Sequence, residues 1–367
     1  MRGCTLLAIV CGLAILAWPA DKKKKEEETQ TLQLPKELPS TVVGQTHRLM
    51  FYVTPLSAKG LLSQQVRDAL KALSRQAKGG QILKIRAFVA GSGDVRRVRD
   101  LVSETFTGRK QPLPVLTLVQ SGGLPMAGAQ VVLEAVVEDR KERNPKGLAF
   151  LSAQAAYSAN PIDPVAPLAE KSVAALNNTL AAAGSEPADV LRITCLLSSL
   201  ENVAAVRKVV AAEYPGAAQN YLQTQRAPAR AVAACEAVAR LRRDAGAPVR
   251  LLNPSGTPAT PGASELALVS APQLVFTSMQ ASFGYQEQDV RLAFERLQKD
   301  LEQSGVSAHD VIFAHYYPLS LGIANQVRKI EPEFMDAAHP PASTLQIFEG
   351  LPAMDAGFAV DVVAVKP

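Results

Sequence analysis

Past residue 20 the side chains with chemistry to offer are few: Cys195 and Cys235, four histidines, and a recurring set of acids and bases. Each cysteine lies in an apolar, strand-like run, where a buried free thiol is the usual finding. Pairing between them in an oxidising compartment is the alternative left open. A nucleophilic Cys235 would need a base beside it, and none is identifiable. His47, His309, His315 and His339 are scattered, and no Cys–His group has metal-ligand spacing, so neither a metal nor any other cofactor is expected. Ser121-Gly122-Gly123 and Gly91-Ser92-Gly93 lack the strand-to-helix setting of a phosphate-binding loop. What remains is positional. Glu134 and Glu236 recur in matching Glu-Ala-Val runs, and Arg86, Thr194 and His315 share one column of a repeated strand. The plainest reading of that column is unrelated polar residues facing solvent. Strand alternation sends Cys235 and Glu236 to opposite faces, so only one of them can face a cleft.

The elements that must position these residues occur three times. ILKIRAFV (Ile82–Val89), VLRITCLL (Val190–Leu197) and VIFAHYYP (Val311–Pro318) each follow an amphipathic stretch. Its apolar positions are Val66, Leu70, Leu73, Ala77; then Ala169, Val173, Leu176, Leu180; then Val290, Phe294, Leu297, Leu301. The spacing 0, 4, 7, 11 is one face of an α-helix. Gly80, Gly184 and Gly305 follow and are expected to take the left-handed stop. An early strand precedes each helix: HRLMFYVTP, GLAFLSAQ and QLVFTSMQ. A second helix follows at Asp94–Thr107, Leu200–Glu213 and Leu319–Met335. Two final strands flank a turn marked by Pro125, Pro228 or Pro352. The repeated order is strand, helix, strand, helix, strand, strand, over a domain-sized length.

Composition is that of an ordinary globular chain, 47% hydrophobic and 20% charged, with a formal charge of +5. The basic charge is diffuse or gathered at Lys22–Lys25, so no nucleic-acid partner is implied. Residues 1–20, with Arg2 before an apolar run, read as a signal peptide too short for a comfortable span. An uncleaved anchor is the first alternative. A lipid anchor on Cys11 ranks below it, because Ala8-Ile9-Val10 is a poor lipobox. Residues 21–40 read as a flexible tether; Glu138–Lys146 and Arg243–Gly262 read as linkers. The units are then 41–139, 140–245 and 246–367.

That order, with its end segments, resembles the RidA (YjgF-type) family, often described as endoribonuclease L-PSP. The matching signals are F-x-S-x-Q (Phe150, Ser152, Gln154; Phe276, Ser278, Gln280), the run AAAGSEPADVLRITCLLSSLENVAAVRKVV, and the Glu-Ala-Val ends. The resemblance spans residues 41–367 and is tightest in the middle copy. It implies α+β units of the chorismate-mutase-like type, each a mixed sheet with two helices, in a pseudo-threefold arrangement. It also implies enamine/imine deaminase chemistry, in which an arginine clamps the substrate carboxylate and a last-strand glutamate positions water. The arginine slot, nine residues before each turn proline, holds Leu116, Gln219 and Ser343. The glutamate slot holds Glu134, Glu236 and, in the third copy, Val363.

With no cation in any slot, the expectation is a degenerate site that binds a small metabolite at an inter-unit cleft. A deaminase using Glu134 or Glu236 with a relocated cation such as Arg86 is the alternative, and a partner-binding scaffold the second. The Leu116 cleft is expected to be apolar and the Ser343 cleft inert. Gln219, with donor and acceptor beside a carboxylate, is the expected ligand-binding residue. The chain is expected to be an exported monomer that mimics a trimer, with no stable membrane span after leader cleavage.

Overall fold

A computed structural model describes residues 35–366, apart from 92–93 and 256–261. The expected leader and residues 21–34 of the expected tether lie outside the described residues. No helix among the described residues is long and apolar enough to cross a membrane. The chain opens on β1 (Thr41–Gln45), followed by β2 (Leu49–Val53), α1 (Leu62–Gln76), β3 (Gln81–Ala90), α2 (Val95–Gly108), β4 (Val115–Ser121) and β5 (Val131–Glu138). Next come β6 (Leu148–Ser158), α3 (Val165–Ala182), β7 (Val190–Leu197), α4 (Val203–Glu213), β8 (Ala218–Gln223) and β9 (Ala231–Arg240). After β10 (Val249–Leu252) and β11 (Leu266–Val269) follow β12 (Gln273–Thr277), β13 (Gln280–Phe283), α5 (Glu287–Gln303), β14 (Val311–Tyr316), α6 (Leu321–Ile330), β15 (Ala342–Leu345) and β16 (Ala356–Lys366).

The fold is mixed α+β. Three sheets carry the orders β2-β5-β3-β4, β6-β9-β7-β8 and β12-β16-β14-β15, the same connectivity each time. In each, the last step of the order is a parallel pair, joined through the second helix. The expected helical faces are the buried ones: Val66, Leu70 and Leu73 pack with Ile85, Ala87 and Val89, and the other two sheets repeat this. Each such Val, Leu or Ile side chain contributes roughly 1.5–3 kcal/mol on burial. Helix stops at Gly184 (φ 68°) and Gly305 (φ 73°) are left-handed as expected. Gly80 is not; Lys78 and Gly79 (φ 85°) take the turn, because α1 ends one residue early at Gln76.

Three short strands were not among the expected elements, and one of them, β10, falls inside the segment read as the second linker. β10 and β11 extend the second sheet beyond β6, and β1 adds antiparallel to β12 of the third sheet. Residues 36–40 are not a free tether: Ser103 donates to the Lys36 carbonyl at 2.6 Å, and Leu38 packs against the first sheet's core. The early strand of the third copy breaks into β12 and β13, both paired to β16. Cys195 and Cys235 sit directly opposite in β7 and β9 and form a disulfide, not free thiols.

Glu331, just after α6, carries the Tyr316 hydroxyl as a donor at 2.6 Å. Burial pushes its carboxyl up to about 7, against the Tyr316 hydrogen bond. A raised acid stabilises the fold below its unfolded value of about 4.3 and loses that contribution as pH rises toward 7. Glu331→Gln keeps an acceptor without the charge. It should leave stability unchanged near pH 4 and raise it by roughly 3 kcal/mol at pH 8. Urea unfolding at both pH values checks this; equal curves at pH 8 would contradict it.

Candidate functional site

The register of the three sheets lines up the polar residues. Arg86 faces Glu134, Thr194 faces Glu236, and His315 faces Asp361 across the antiparallel pairs. On the parallel side the same residues face Thr117, Asn220 and Thr344. One step along, Lys84, Arg192 and Phe313 face Val136, Val238 and Val363. A register shift recurs just before these residues in β3, β7 and β14, an irregularity that re-aims side chains. The glutamate slot of the third copy is therefore Asp361, not Val363. Asp361 lies nine positions after Pro352, as Glu134 does after Pro125, while Glu236 lies eight after Pro228, so the count in the sequence brings the slot to within one residue.

These residues meet where the three sheets meet. Arg86 donates to Glu134 at 2.8 and 2.5 Å and to Glu236 at 2.6 Å. Arg192 lies 3.1 Å from Glu236 and 3.5 Å from Glu134. Thr194 and Asn220 also donate to Glu134, at 2.5 and 2.6 Å. Asp361 accepts from Lys84, from Thr117 at 2.8 Å and from the Tyr317 hydroxyl at 2.9 Å. His315 Nδ1 lies 3.3 Å from Asp361 and Nε2 lies 3.2 Å from Glu236. The ring thus stands between two carboxylates, one beside each nitrogen.

The reading of Arg86 and His315 as unrelated and solvent-facing fails. None of Lys84, Arg86, Arg192, His315, Glu134, Glu236 and Asp361 is more than 7% exposed. Along the strands the polar layer lies between two apolar clusters drawn from all three sheets, one around Phe51, Phe150 and Phe276, the other around Phe88, Leu196 and Tyr317. Burial alone would raise the three carboxyls. For Glu134 the guanidiniums of Arg86 and Arg192 outweigh it, and for Glu236 Arg86 and His315 do. For Asp361, Lys84 and His315 hold the carboxyl far below the ordinary range. All three are thus ionised acceptors inside salt-bridge networks, placed where a substrate would have to displace an arginine or lysine to reach them.

The arginine-slot residues go elsewhere. Leu116, Gln219 and Ser343 face Ile85, Ile193 and Ala314, on the opposite side of the strand from the carboxylates. Gln219 is not beside Glu236: its amide donates to the Tyr214 carbonyl at 3.0 Å and accepts from the Tyr221 hydroxyl at 2.7 Å. It lines a cleft of about 650 Å³ between β8, α4 and the segment after β2, with Arg207 over the Tyr221 ring at 5.5 Å. Leu116 lines a cleft of about 600 Å³ between the first and third sheets, roofed by residues 37–40. That cleft is not apolar as expected. Arg96, Arg99 and Arg296 share its wall with Leu118, Met279, Asp100 and Asp300. Arg296 donates to the Ala281 carbonyl at 3.0 Å, and Arg99 has no ion-pair partner among the described residues. At the Ser343 position neighbouring segments close in: Ser264, just before β11, bridges to Ala342, and Ala153 N–H of β6 donates to Thr344 at 3.2 Å. No group of acids, cysteines and histidines among the described residues could hold a metal.

No family model matches the sequence, and no curated protein matches it. Among solved structures the chain is similar to a YjgF-family protein from Neisseria meningitidis, at 18% identity and a TM-score of 0.25, over 32% of this chain and 95% of that one. It is similar to a Rid-family protein of unknown function from Yersinia pestis, at 17% identity and a TM-score of 0.29, over 33% of this chain and 100% of that one. It is also similar to a YjgF/YER057c/UK114-family protein from Mycobacterium tuberculosis, at 17% identity and a TM-score of 0.24, over 32% of this chain and 99% of that one.

Proposed function

We propose that the chain is three RidA-like units fused in pseudo-threefold arrangement, and that it binds a small carboxylate metabolite in the cleft between its first and third sheets. One observation carries the binding reading: the cleft beside Leu116 has the cation its strand slot lacks, supplied by Arg99 on α2. The common connectivity of the three sheets supports the fused reading. A guanidinium with no ion-pair partner among the described residues, in one cleft with Leu116, Leu118 and Met279, suits a short carboxylate with an apolar tail. Deaminase chemistry is disfavoured, because Glu134 and Glu236 are committed to arginines in the buried junction. The Cys195–Cys235 disulfide is consistent with export to an oxidising compartment, as the leader reading holds.

Titrating 2-oxobutyrate into the parent chain and into Arg99→Met tests this. Arg99 is exposed, so loss of its contact, at most about 1 kcal/mol, should weaken binding up to about fivefold. Equal affinity in the variant would sink the reading. Ammonia release from 2-aminoacrylate that disappears in Glu236→Gln would favour the deaminase instead.

A further inference from the structure

A second cavity lies on the junction of the three sheets and has no part in the cleft. Its volume is about 30 Å³. That is room for about two waters or one monatomic ion, and too little for an oxyanion such as sulfate. Its polar wall is formed by Lys84, Arg86, Arg192 and His315 against a single carboxylate, Glu134. Glu236 and Asp361 belong to the network but do not line the cavity. The rest of the wall is apolar: Phe51, Phe150, Phe276 and Phe313, with three valines from β5, β9 and β16.

The Arg192 side chain is only 9% exposed. Both its terminal nitrogens meet carboxylates, but its Nε has no hydrogen-bond partner. A buried N–H without an acceptor is a substantial penalty, so this group calls for an acceptor from outside the protein. Charge points the same way. The wall sets Lys84, Arg86 and Arg192 against one carboxylate, Glu134, since Glu236 and Asp361 do not line it. A cation would meet four basic groups on the wall. The edges of aromatic rings, by contrast, carry positive potential and tolerate an anion.

We propose that this axial cavity binds one small monovalent anion of halide size, with Arg192 Nε as the donor that selects it. Seated there, the ion touches side chains from all three sheets and clasps them together. Ligand binding to the folded state alone raises its stability.

The test uses the full chain in sodium chloride, sodium bromide and sodium gluconate at equal ionic strength. Thermal unfolding should occur about 2–4 °C or more higher in the two halides than in gluconate, whose anion is too large to enter. Arg192→Lys keeps the charge but lacks Nε, and should abolish the difference between halide and gluconate. Should that variant fail to fold, crystals of the parent grown in bromide decide the matter. An anomalous peak within hydrogen-bonding distance of Arg192 Nε supports the site. Water density there without such a peak overturns it, as do equal melting temperatures in the three salts or a halide effect that persists in Arg192→Lys.

Discussion

Replacing Asp361 by leucine is expected to destabilise the chain by about 3–5 kcal/mol. The carboxylate is fully buried and takes hydrogen bonds from Lys84, Thr117 and Tyr317, with His315 at 3.3 Å. Leucine fills the volume but takes the counter-charge from a buried ammonium, which keeps only the Thr277 carbonyl at 3.1 Å, and leaves the Thr117 and Tyr317 hydroxyls without their carboxylate. Desolvation makes that worse than the original pair was good. The double variant Lys84→Met with Asp361→Leu should therefore recover much of the loss, since an apolar pair has no charge to strand. An exposed pair serves as contrast. Arg291 and Glu333 are bonded at the surface, and Glu333→Gln should leave the denaturant midpoint nearly unchanged, because solvent screens an exposed pair. Denaturant midpoints of these variants settle the point. An Asp361→Leu loss no larger than that of Glu333→Gln would mean the junction does not hold the sheets together.

The second large effect belongs to the disulfide. Cys195 and Cys235 are 40 residues apart in sequence, and both are fully buried on the helix side of the second sheet. Closing a loop of that length removes about 4 kcal/mol of unfolded-state entropy in the chain model. Equilibrium unfolding with dithiothreitol should therefore occur at a clearly lower denaturant concentration than without it. The difference should vanish in the Cys195→Ala, Cys235→Ala double variant. Coincident transitions in the parent would show that the bond is absent or contributes nothing.

The sequence by itself determined the local elements and their threefold order. The spacing of Val66, Leu70 and Leu73, and its two counterparts, places helices because helical periodicity is a property of neighbouring residues alone. The same holds for β3, β7 and β14, whose apolar runs read directly as strands. The short strands β1, β10 and β11 were not legible. Four or five residues beside Pro and Gly carry too little pattern, and what joins them to the sheets, β1 to β12 and β11 to β6, is distant in the chain. The candidate site divides in the same way. That Arg86, Thr194 and His315 share a column, and Glu134 and Glu236 another, is a matter of repeat spacing. Where that column points is not. A polar residue on a strand looks identical whether water or another sheet lies above it. Only the packing of the three sheets turned an expected surface row into a buried ion network, brought Lys84 and Arg192 into it, and left Gln219 on the far face. Tertiary structure alone decided it, because burial is set by residues hundreds of positions away, as Lys84 and Asp361 are.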